Sequence, residues 1–482
     1  MTRFLRLDPT ALAGAALTLL LAGCMVGPGY QRPELTAPDN HRTLTTTAEA
    51  ESLADLPWWE VFQDPVLHDL VNEALVNNYD LRIAAARVEE ARARAGVAKS
   101  FVWPELNLTA GYGANQVSRE SDPPQAAAGA DRKYENWNAS FVLSWEIDLF
   151  GRLRRQSEST MAVFLATDEA RQGVVLTLVG DVARSYFALC ALDLELEIAR
   201  RTLELNDETV TFYRDRLEGG ISNKLEVNQA IATRARTAAA IPDLERQIAA
   251  QENLLSFVVG RNPGPIARGT ALADQYLPPV VPAGLPSALL DRRPDVRQAE
   301  QLLVSANADV GAARALFYPT ISLTGLFGGA SSDLTNLTDR NSQVWSLGAG
   351  LFQPLFQAGR IRRNYEAAQA AFEQALAQYA KTAQNAFREV ADSLVAIDKF
   401  ALVRVEQETA VAALQEASEL SRSRYDLGLS TYLEVLIADE QLFAAEVALA
   451  QTRFAQLDAV VQLYRALGGG WEQPVPAEPP TE

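Results

Sequence analysis

Two hydrophobic periods alternate along the chain. In long stretches the apolar residues keep a helical period of about 3.5, the spacing of coiled-coil-like packing; Val174, Leu178, Val182, Phe187 and Leu194 form one such stripe. Residues 67–102 and 289–317 are alanine-rich helical runs. They stop before Trp103-Pro104 and Tyr318-Pro319, because a proline biases the residue before it away from helix. Residues 151–217 and 359–425 are longer runs without an internal proline. At a rise of about 1.5 Å per residue each spans roughly 100 Å, and the returning runs at 223–259 and 431–467 about half of that. A returning run stacked on an upper run therefore matches one long helix in length.

Between the helical runs the period falls to two. Trp137, Ala139, Phe141, Leu143 and Trp145 alternate with Asn138, Ser140, Val142, Ser144 and Glu146. Leu106, Leu108, Ala110 and Tyr112 make a second alternating set, and Trp345, Leu347, Ala349 and Leu351 another. The set Ile321, Leu323, Gly325 and Phe327 is weakened by Leu326. One apolar face, one small or polar face and aromatics toward the ends suit a lipid-facing barrel strand. Tyr112, Trp137, Trp145, Phe327 and Trp345 are the candidate membrane-interface aromatics. Hairpins of a soluble sheet alternate in the same way, but lone hairpins are marginal in water and helices of ~100 Å could not bury them. Strands cross a membrane only in closed barrels, of which the small bacterial class has about eight. Four strands per chain demand oligomerisation, and two, three or four copies would supply eight, twelve or sixteen.

The chain is a duplicated unit. Arg216-Leu217-Glu218-Gly219-Gly220-Ile221-Ser222 aligns with Arg424-Tyr425-Asp426-Leu427-Gly428-Leu429-Ser430 at an offset of 208, which also pairs Gly151-Arg152 with Gly359-Arg360. Upstream the offset is 215, pairing Gly96 with Gly311 and Pro104 with Pro319, and the change falls between Tyr112 and Trp137. Each copy reads helix, strand, strand, long helix, turn, helix.

Composition narrows the chemistry. A net charge of −18 argues against nucleic acid as a partner. Two cysteines exclude a disulfide framework, and Cys190 reads as a small helix-core residue. The two histidines, His41 and His68, read as surface residues. No Ser/His/Asp, Cys/His or metal-ligand spacing stands out, so no enzyme activity, catalytic residue or metal is expected. After residue 24 no window offers about 18 uncharged apolar residues, as a membrane-spanning helix requires. Residues 1–23 read as an export signal, with Arg3 and Arg6 before an apolar stretch. The stretch ends in Leu21-Ala22-Gly23-Cys24, which resembles a bacterial lipobox. That resemblance implies cleavage before Cys24 and acylation of it, and Met25 in place of aspartate favours transit to the outer membrane. Several acyl chains anchor stably where one is marginal.

Larger motifs carry a family resemblance. Cys24-Met25-Val26-Gly27-Pro28-Gly29-Tyr30, Trp58-Trp59, Phe150-Gly151-Arg152, Asp291-Arg292-Arg293-Pro294-Asp295-Val296-Arg297, Phe317-Tyr318-Pro319 and residues 425–435 resemble the TolC-like outer-membrane factors. Within them the chain is similar to the lipoprotein (NodT/OprM-like) branch of resistance–nodulation–division efflux systems. The resemblance covers nearly all of the chain after residue 24. It implies a mainly α fold with a β-barrel portion: a homotrimer whose chains give four strands each to a 12-stranded outer-membrane barrel on a long periplasmic α-helical barrel. It further implies a passive exit duct for drugs or other small molecules, without a cofactor. The implied partners are a periplasmic adaptor (membrane fusion protein), an inner-membrane resistance–nodulation–division pump and outer-membrane lipids.

At the helix–helix turns, Gly220 and Gly428 suit a tight reversal at positive φ. Ser222 and Ser430 are placed to cap the returning helices. The resemblance makes Gly219, Gly220, Ser222, Gly428 and Ser430 the adaptor-contact tips. It also makes Tyr425, Leu433 and Glu434 aperture candidates, with symmetry gathering copies of Glu434 into a ring. Ile437 stands where the family often has an acid and Asp439 follows, so the candidate aperture is partly hydrophobic.

The expected organisation is a signal peptide 1–23, a lipidated segment and equatorial belt 24–66, a first repeat 67–261, a Pro/Gly-rich linker 262–286, a second repeat 287–468 and a tail 469–482. Strands are expected near 105–115, 136–148, 320–330 and 343–354, and helix turns near 218–224 and 426–432. The competing readings are a type I protein-secretion outlet and a periplasmic structural or adaptor lipoprotein that forms no pore.

Overall fold

The structure, a computed structural model, describes residues 25–36, 38, 56–118, 133–276 and 289–469. Cys24, His41, residues 277–286 of the linker and residues 470–482 of the tail lie outside the described residues. In chain order the helices are α1 (Trp58–Val61), α2 (Pro65–Asn77), α3 (Tyr79–Ser100), α4 (Arg152–Glu218), α5 (Lys224–Val259), α6 (Leu289–Arg292), α7 (Pro294–Ala315), α8 (Arg360–Asp426) and α9 (Tyr432–Ala466). The strands are β1 (Glu105–Gln116), β2 (Lys133–Ile147), β3 (Thr320–Ser331) and β4 (Gln343–Phe352). The long helices α4 and α8 have 67 residues each. Helix α5 continues through Pro242, whose missing N–H would ordinarily break it.

Two runs that the periodicity joins are divided. The run 67–102 breaks at Asn78, whose backbone is extended (φ −61, ψ 130) between α2 and α3. Its amide donates to Val258 O over 2.7 Å and its carbonyl oxygen accepts from Leu81 N over 2.9 Å, so it starts α3 while tying it to α5. The run 289–317 breaks at Arg293. Its buried guanidinium donates to Asp295, to Glu389 over 2.8 Å and to Ala466 O over 2.8 Å. Pro294 then occupies the first position of α7, where its missing N–H has no cost.

The chain forms two compact units. One comprises Met1–Pro33, Val88–Thr167 and Ala299–Tyr379, and holds the sheet; the other comprises Glu34–Arg87, Asp168–Gln298 and Ala380–Glu482. In the first, the strands lie in the order β1-β2-β3-β4, all antiparallel. The residues after Cys24 strap onto the helix ends beneath the sheet. Val26 N donates to Phe150 O over 3.1 Å, and Pro28 O accepts from Arg155 and Asn307. Gly27 (φ 113) lies so close to Gly311 that a Cβ on it would stand 2.6 Å from Gly311 Cα.

The second unit has the main apolar core, where Tyr186, Phe187, Leu67, Leu255 and Leu463 are fully buried. Cys190 is buried there, and burial pushes its thiol up to about 12, so it is inert packing. A stretch of α4 is apolar enough by composition to cross a membrane, but 67% of it is buried within the fold. It serves this core. His68, expected at the surface, is half-buried: its ring meets Trp58 edge-on and bonds Phe62 O.

Asp64 organises the belt of this unit. It is 1% exposed and caps α2 by accepting from Val66 N and Leu67 N. It also accepts from Thr270 N, Gln275 Nε2 and Tyr186 OH, each within 2.9 Å. Burial alone would raise its pKa, but these hydrogen bonds outweigh burial and hold the carboxyl below its usual value. Tyr186 OH in turn accepts from Gly269 N, and a Cβ at Gly269 would collide with the Asp64 carboxylate.

Candidate functional site: a two-faced sheet and two helical turns

The register of the sheet brings the alternating sets onto one face. Leu106, Leu108, Ala110 and Tyr112 lie opposite Leu143, Phe141, Ala139 and Trp137. Phe141 lies opposite Phe327, and Phe327 opposite Trp345, so the phase holds across all four strands. The other face carries Asn107, Thr109, Ser140, Ser144, Thr324 and Ser346, with Gly348 and Gly350. Leu326, the residue that blurs the third alternating set, points to this polar face opposite Val142. The apolar face is open: Leu108 is 66% exposed and Leu347 78%.

The candidate interface aromatics fall into two groups. Tyr112 and Trp137 pack with ring centroids 4.4 Å apart, on the apolar face with Phe327 and Trp345 and nearer the hairpin loops. Trp145 lies toward the helix ends and donates from Nε1 to Val102 O over 3.0 Å. Sequence reasoning missed the aromatics beside it: Phe150 stacks on Tyr318 at 4.7 Å, and Trp103 is 68% exposed. The signal available was their position next to Pro104, Gly151 and Pro319.

The two helix–helix turns share one geometry. Gly220 and Gly428 take φ of 75° and 72°. Gly220 N donates to Leu217 O and Ile221 N to Arg216 O, as Gly428 N does to Tyr425 O and Leu429 N to Arg424 O. Gly219 still lies in the helical turn, its N–H bonded to Asp215 O. The serines do not cap. Asn223, one residue beyond Ser222, accepts from Leu225 N (2.9 Å) and Glu226 N (3.1 Å), while Ser222 donates to the Glu226 carboxylate. The reversal consumes the serine positions, so each returning helix starts one residue later. In the second turn Thr431 holds the capping position without a side-chain bond, and Ser430 Oγ is buried without a partner among the described residues.

Beside the turns four helices meet on an aromatic cluster. Tyr213 lies 4.1 Å from Tyr432 and 5.5 Å from Tyr425, and the Arg216 guanidinium sits 5.1 Å above the Tyr425 ring. Burial pushes the Tyr432 phenol up to about 12 and raises that of Tyr213 further, so both are neutral. The aperture candidates separate here. Tyr425 is buried in the cluster, and Asp439 accepts from Ser418 Oγ and from Arg422 over 2.9 Å. Leu433, Glu434 and Ile437 share the exposed side of α9, where Glu434 has Arg424 at 3.9 Å. Further along, Arg236 pairs with Glu440 and Arg201 with Glu446, pinning α5 and α4 to α9. A cavity of about 350 Å³ lies between α4, α8 and α9, lined by Asn206, Gln415, Arg422, Asp439 and Phe443. Among the described residues no group of His, Cys, Asp and Glu side chains is arranged to hold a metal.

Comparison with known proteins decides what this pairing of features belongs to. The family model described as "Outer membrane efflux protein" matches residues 70–261 and 285–469. The chain belongs to the outer membrane efflux protein family. The cation efflux system protein CusC of Escherichia coli O6:H1 is 35% identical over 469 residues, spanning 97% of this chain and all of that one. The solvent efflux pump outer membrane protein SrpC of Pseudomonas putida is 37% identical over 463 residues, spanning 94% and 97%. The crystal structure of the open state of the Neisseria gonorrhoeae MtrE outer membrane channel matches with a TM-score of 0.84 at 28% identity, covering 93% of this chain and 99% of that one.

This outer membrane efflux protein is therefore an outer-membrane component of efflux, with a mainly α fold and a four-stranded sheet. Its family is one of channel-forming proteins rather than enzymes. Tyr213, Tyr432, Arg216 and Arg422 were not singled out as candidates. Tyr213 and Tyr432 flank the two turns in the sequence, and that clustering of aromatics was the readable signal.

Proposed function

We propose that three copies of the chain close a twelve-stranded barrel in the outer membrane and form below it a helical duct through which small molecules leave the periplasm. The observation that carries this reading is the common phase of four apolar strand faces in a sheet whose outer strands are β1 and β4. Open edges in a bilayer would leave backbone N–H and C=O groups unpaired at several kcal/mol each, so the edges must meet in a closed ring. Lipid on Cys24 would fit the same placement, because the next residue, Met25, packs against Gly151 at the helix end beneath the sheet.

A periplasmic adaptor meeting the two glycine turns, and beyond it an inner-membrane resistance–nodulation–division pump, would complete the path. Gly219, Gly220, Ser222, Gly428 and Ser430 would form the contact, and Leu433, Glu434 and Ile437 the aperture. Tyr425 and Asp439 would act on the aperture by holding α9 in place. The named cargoes of similar proteins range from cations for CusC to solvent for SrpC, which favours a passive duct with selection in the pump.

Native mass spectrometry of the detergent-purified, lipidated protein, followed by planar-bilayer conductance, tests the proposal. Three chains and discrete conductance steps are expected. A folded monomer that conducts nothing would overturn the duct and promote the structural lipoprotein.

A further inference from the structure

The two hairpins correspond residue for residue under the offsets of the internal repeat. Tyr112 lies opposite Trp137 as Phe327 lies opposite Trp345, and Leu106 opposite Leu143 as Ile321 opposite Leu351. A side-chain bond at the hairpin base repeats as well. Trp145 donates to Val102 O over 3.0 Å, and Gln353 at the equivalent position donates to Phe317 O over 3.2 Å.

The chain also contains one joint between its copies, the pairing of β2 with β3. There Ile147 is opposite Ile321, Trp145 opposite Leu323, Leu143 opposite Gly325 and Phe141 opposite Phe327. The equivalent joint, from the second strand of copy two to the first strand of copy one, can form only between chains. Advancing the β2 positions by 208 and moving the β3 positions back by 215 gives its register.

We propose that β4 of one protomer pairs antiparallel with β1 of the next, with Leu351 opposite Ala110, Ala349 opposite Tyr112 and Leu347 opposite Ala114. The proposal rests on the shared-barrel reading above and adds its register. Three features of the residues agree with it, none of which was used to derive it. Parity is kept: all six side chains belong to the apolar face, whereas a one-residue slip would turn one strand over. Size alternates at the three central pairs, each of which sets a large side chain against an alanine. A two-residue slip in either direction loses this, setting Ala349 against Ala110 or against Ala114. Bare apolar surface is covered: Leu355, 93% exposed, comes opposite Leu106, 64% exposed, as Ile147 is opposite Ile321.

The joint beneath the sheet follows the same rule. Phe150 stacks on Tyr318 within the chain. The repeat places Ala358 where Phe150 stands and Trp103 where Tyr318 stands, so the larger ring of one protomer meets the smaller residue of its neighbour.

Paired cysteines test the register in the full-length, membrane-assembled protein. Directly opposed Cβ atoms lie about 4.5–5.5 Å apart and diagonal ones about 7–8 Å, against about 3.5–4.5 Å in a disulfide. The double variant Ala110→Cys/Leu351→Cys is oxidised with iodine and compared with the slipped pair Ala110→Cys/Ala349→Cys. The parent, whose Cys190 is buried, serves as the blank. Leu347→Cys/Ala114→Cys is a second in-register pair if the first fails to assemble. The in-register pairs should cross-link between chains at least about tenfold faster than the slipped pair. Faster cross-linking of the slipped pair overturns the register and leaves the shared barrel standing. An oligomer by native mass in which neither pair cross-links also overturns the register. A monomer with no cross-link overturns the shared barrel itself.

Discussion

Asp64 and Glu434 show how differently a carboxylate acts when buried and when exposed. Asp64 is enclosed by five donors, so Asp64→Asn removes charge-assisted bonds and costs about 2 kcal/mol or more of helical-unit stability at neutral pH. Its folded pKa lies below the unfolded value near 3.9, so the stabilisation is complete above that pH and lost as pH falls through the folded value. Thermal melts followed by circular dichroism should separate parent and variant at pH 7 and bring them together toward pH 2. Glu434 lies on the open side of α9, with Arg424 at 3.9 Å. Glu434→Ala should leave the melt unchanged and lower cation selectivity in bilayers; unaltered selectivity and conductance would remove Glu434 from the aperture. The sequence was informative here where a residue answers to its neighbours, as Gly220 and Gly428 do to their turns and Cys190 to its helical stripe. It was not for Asn78, whose helix-breaking role depends on Val258, 180 residues away.

The two turns match in backbone yet differ in capping. Asn223 satisfies two N–H groups of α5, whereas Thr431 satisfies none of α9 through its side chain. Removing a working cap costs about 1 kcal/mol, or roughly fivefold in a local opening equilibrium. Asn223→Ala should therefore speed hydrogen–deuterium exchange in the first turn of α5 about fivefold, while Thr431→Ala should change α9 by less than about twofold. Equal responses would mean that the difference does not hold in solution. Helices and strands themselves were readable because period, proline and glycine signals agreed. The break at Asn78 was not, since an alanine-rich run gives no sign that a side chain will turn aside to bind a distant carbonyl; at Arg293 the sign was Pro294, which the periodicity passed over.

For the whole molecule, the two faces of the sheet make opposite demands. An arginine at the middle of a lipid-facing strand costs about 2–4 kcal/mol, and one facing a water-filled lumen costs little. Leu143→Arg should therefore abolish assembly in the outer membrane, whereas Thr324→Arg should assemble and reduce cation conductance. Membrane fractionation with conductance recordings checks both, and assembly of the two alike would contradict the assignment of faces. Architecture was legible at this scale because the duplication repeats each signal in a second copy, so that the weak alternation of β3 could be read beside that of β1. The ring contacts of Tyr213 with Tyr425 and Tyr432 were not, because they arise where four helices converge.

The belt of the helical unit also bears on the order of assembly. Asp64 takes its bonds from Thr270 and Gln275, and Leu56 O accepts from Tyr464 OH, 408 residues later. Contacts of such sequence separation form slowly, since the intervening chain must first be gathered in. During synthesis Asp64 must therefore wait for Thr270 and Gln275, and Leu56 longer still, for Tyr464. The segment around residues 56–77 is fastened in two stages, and a chain truncated before Tyr464 would keep the bonds of Asp64 and lose the one at Leu56.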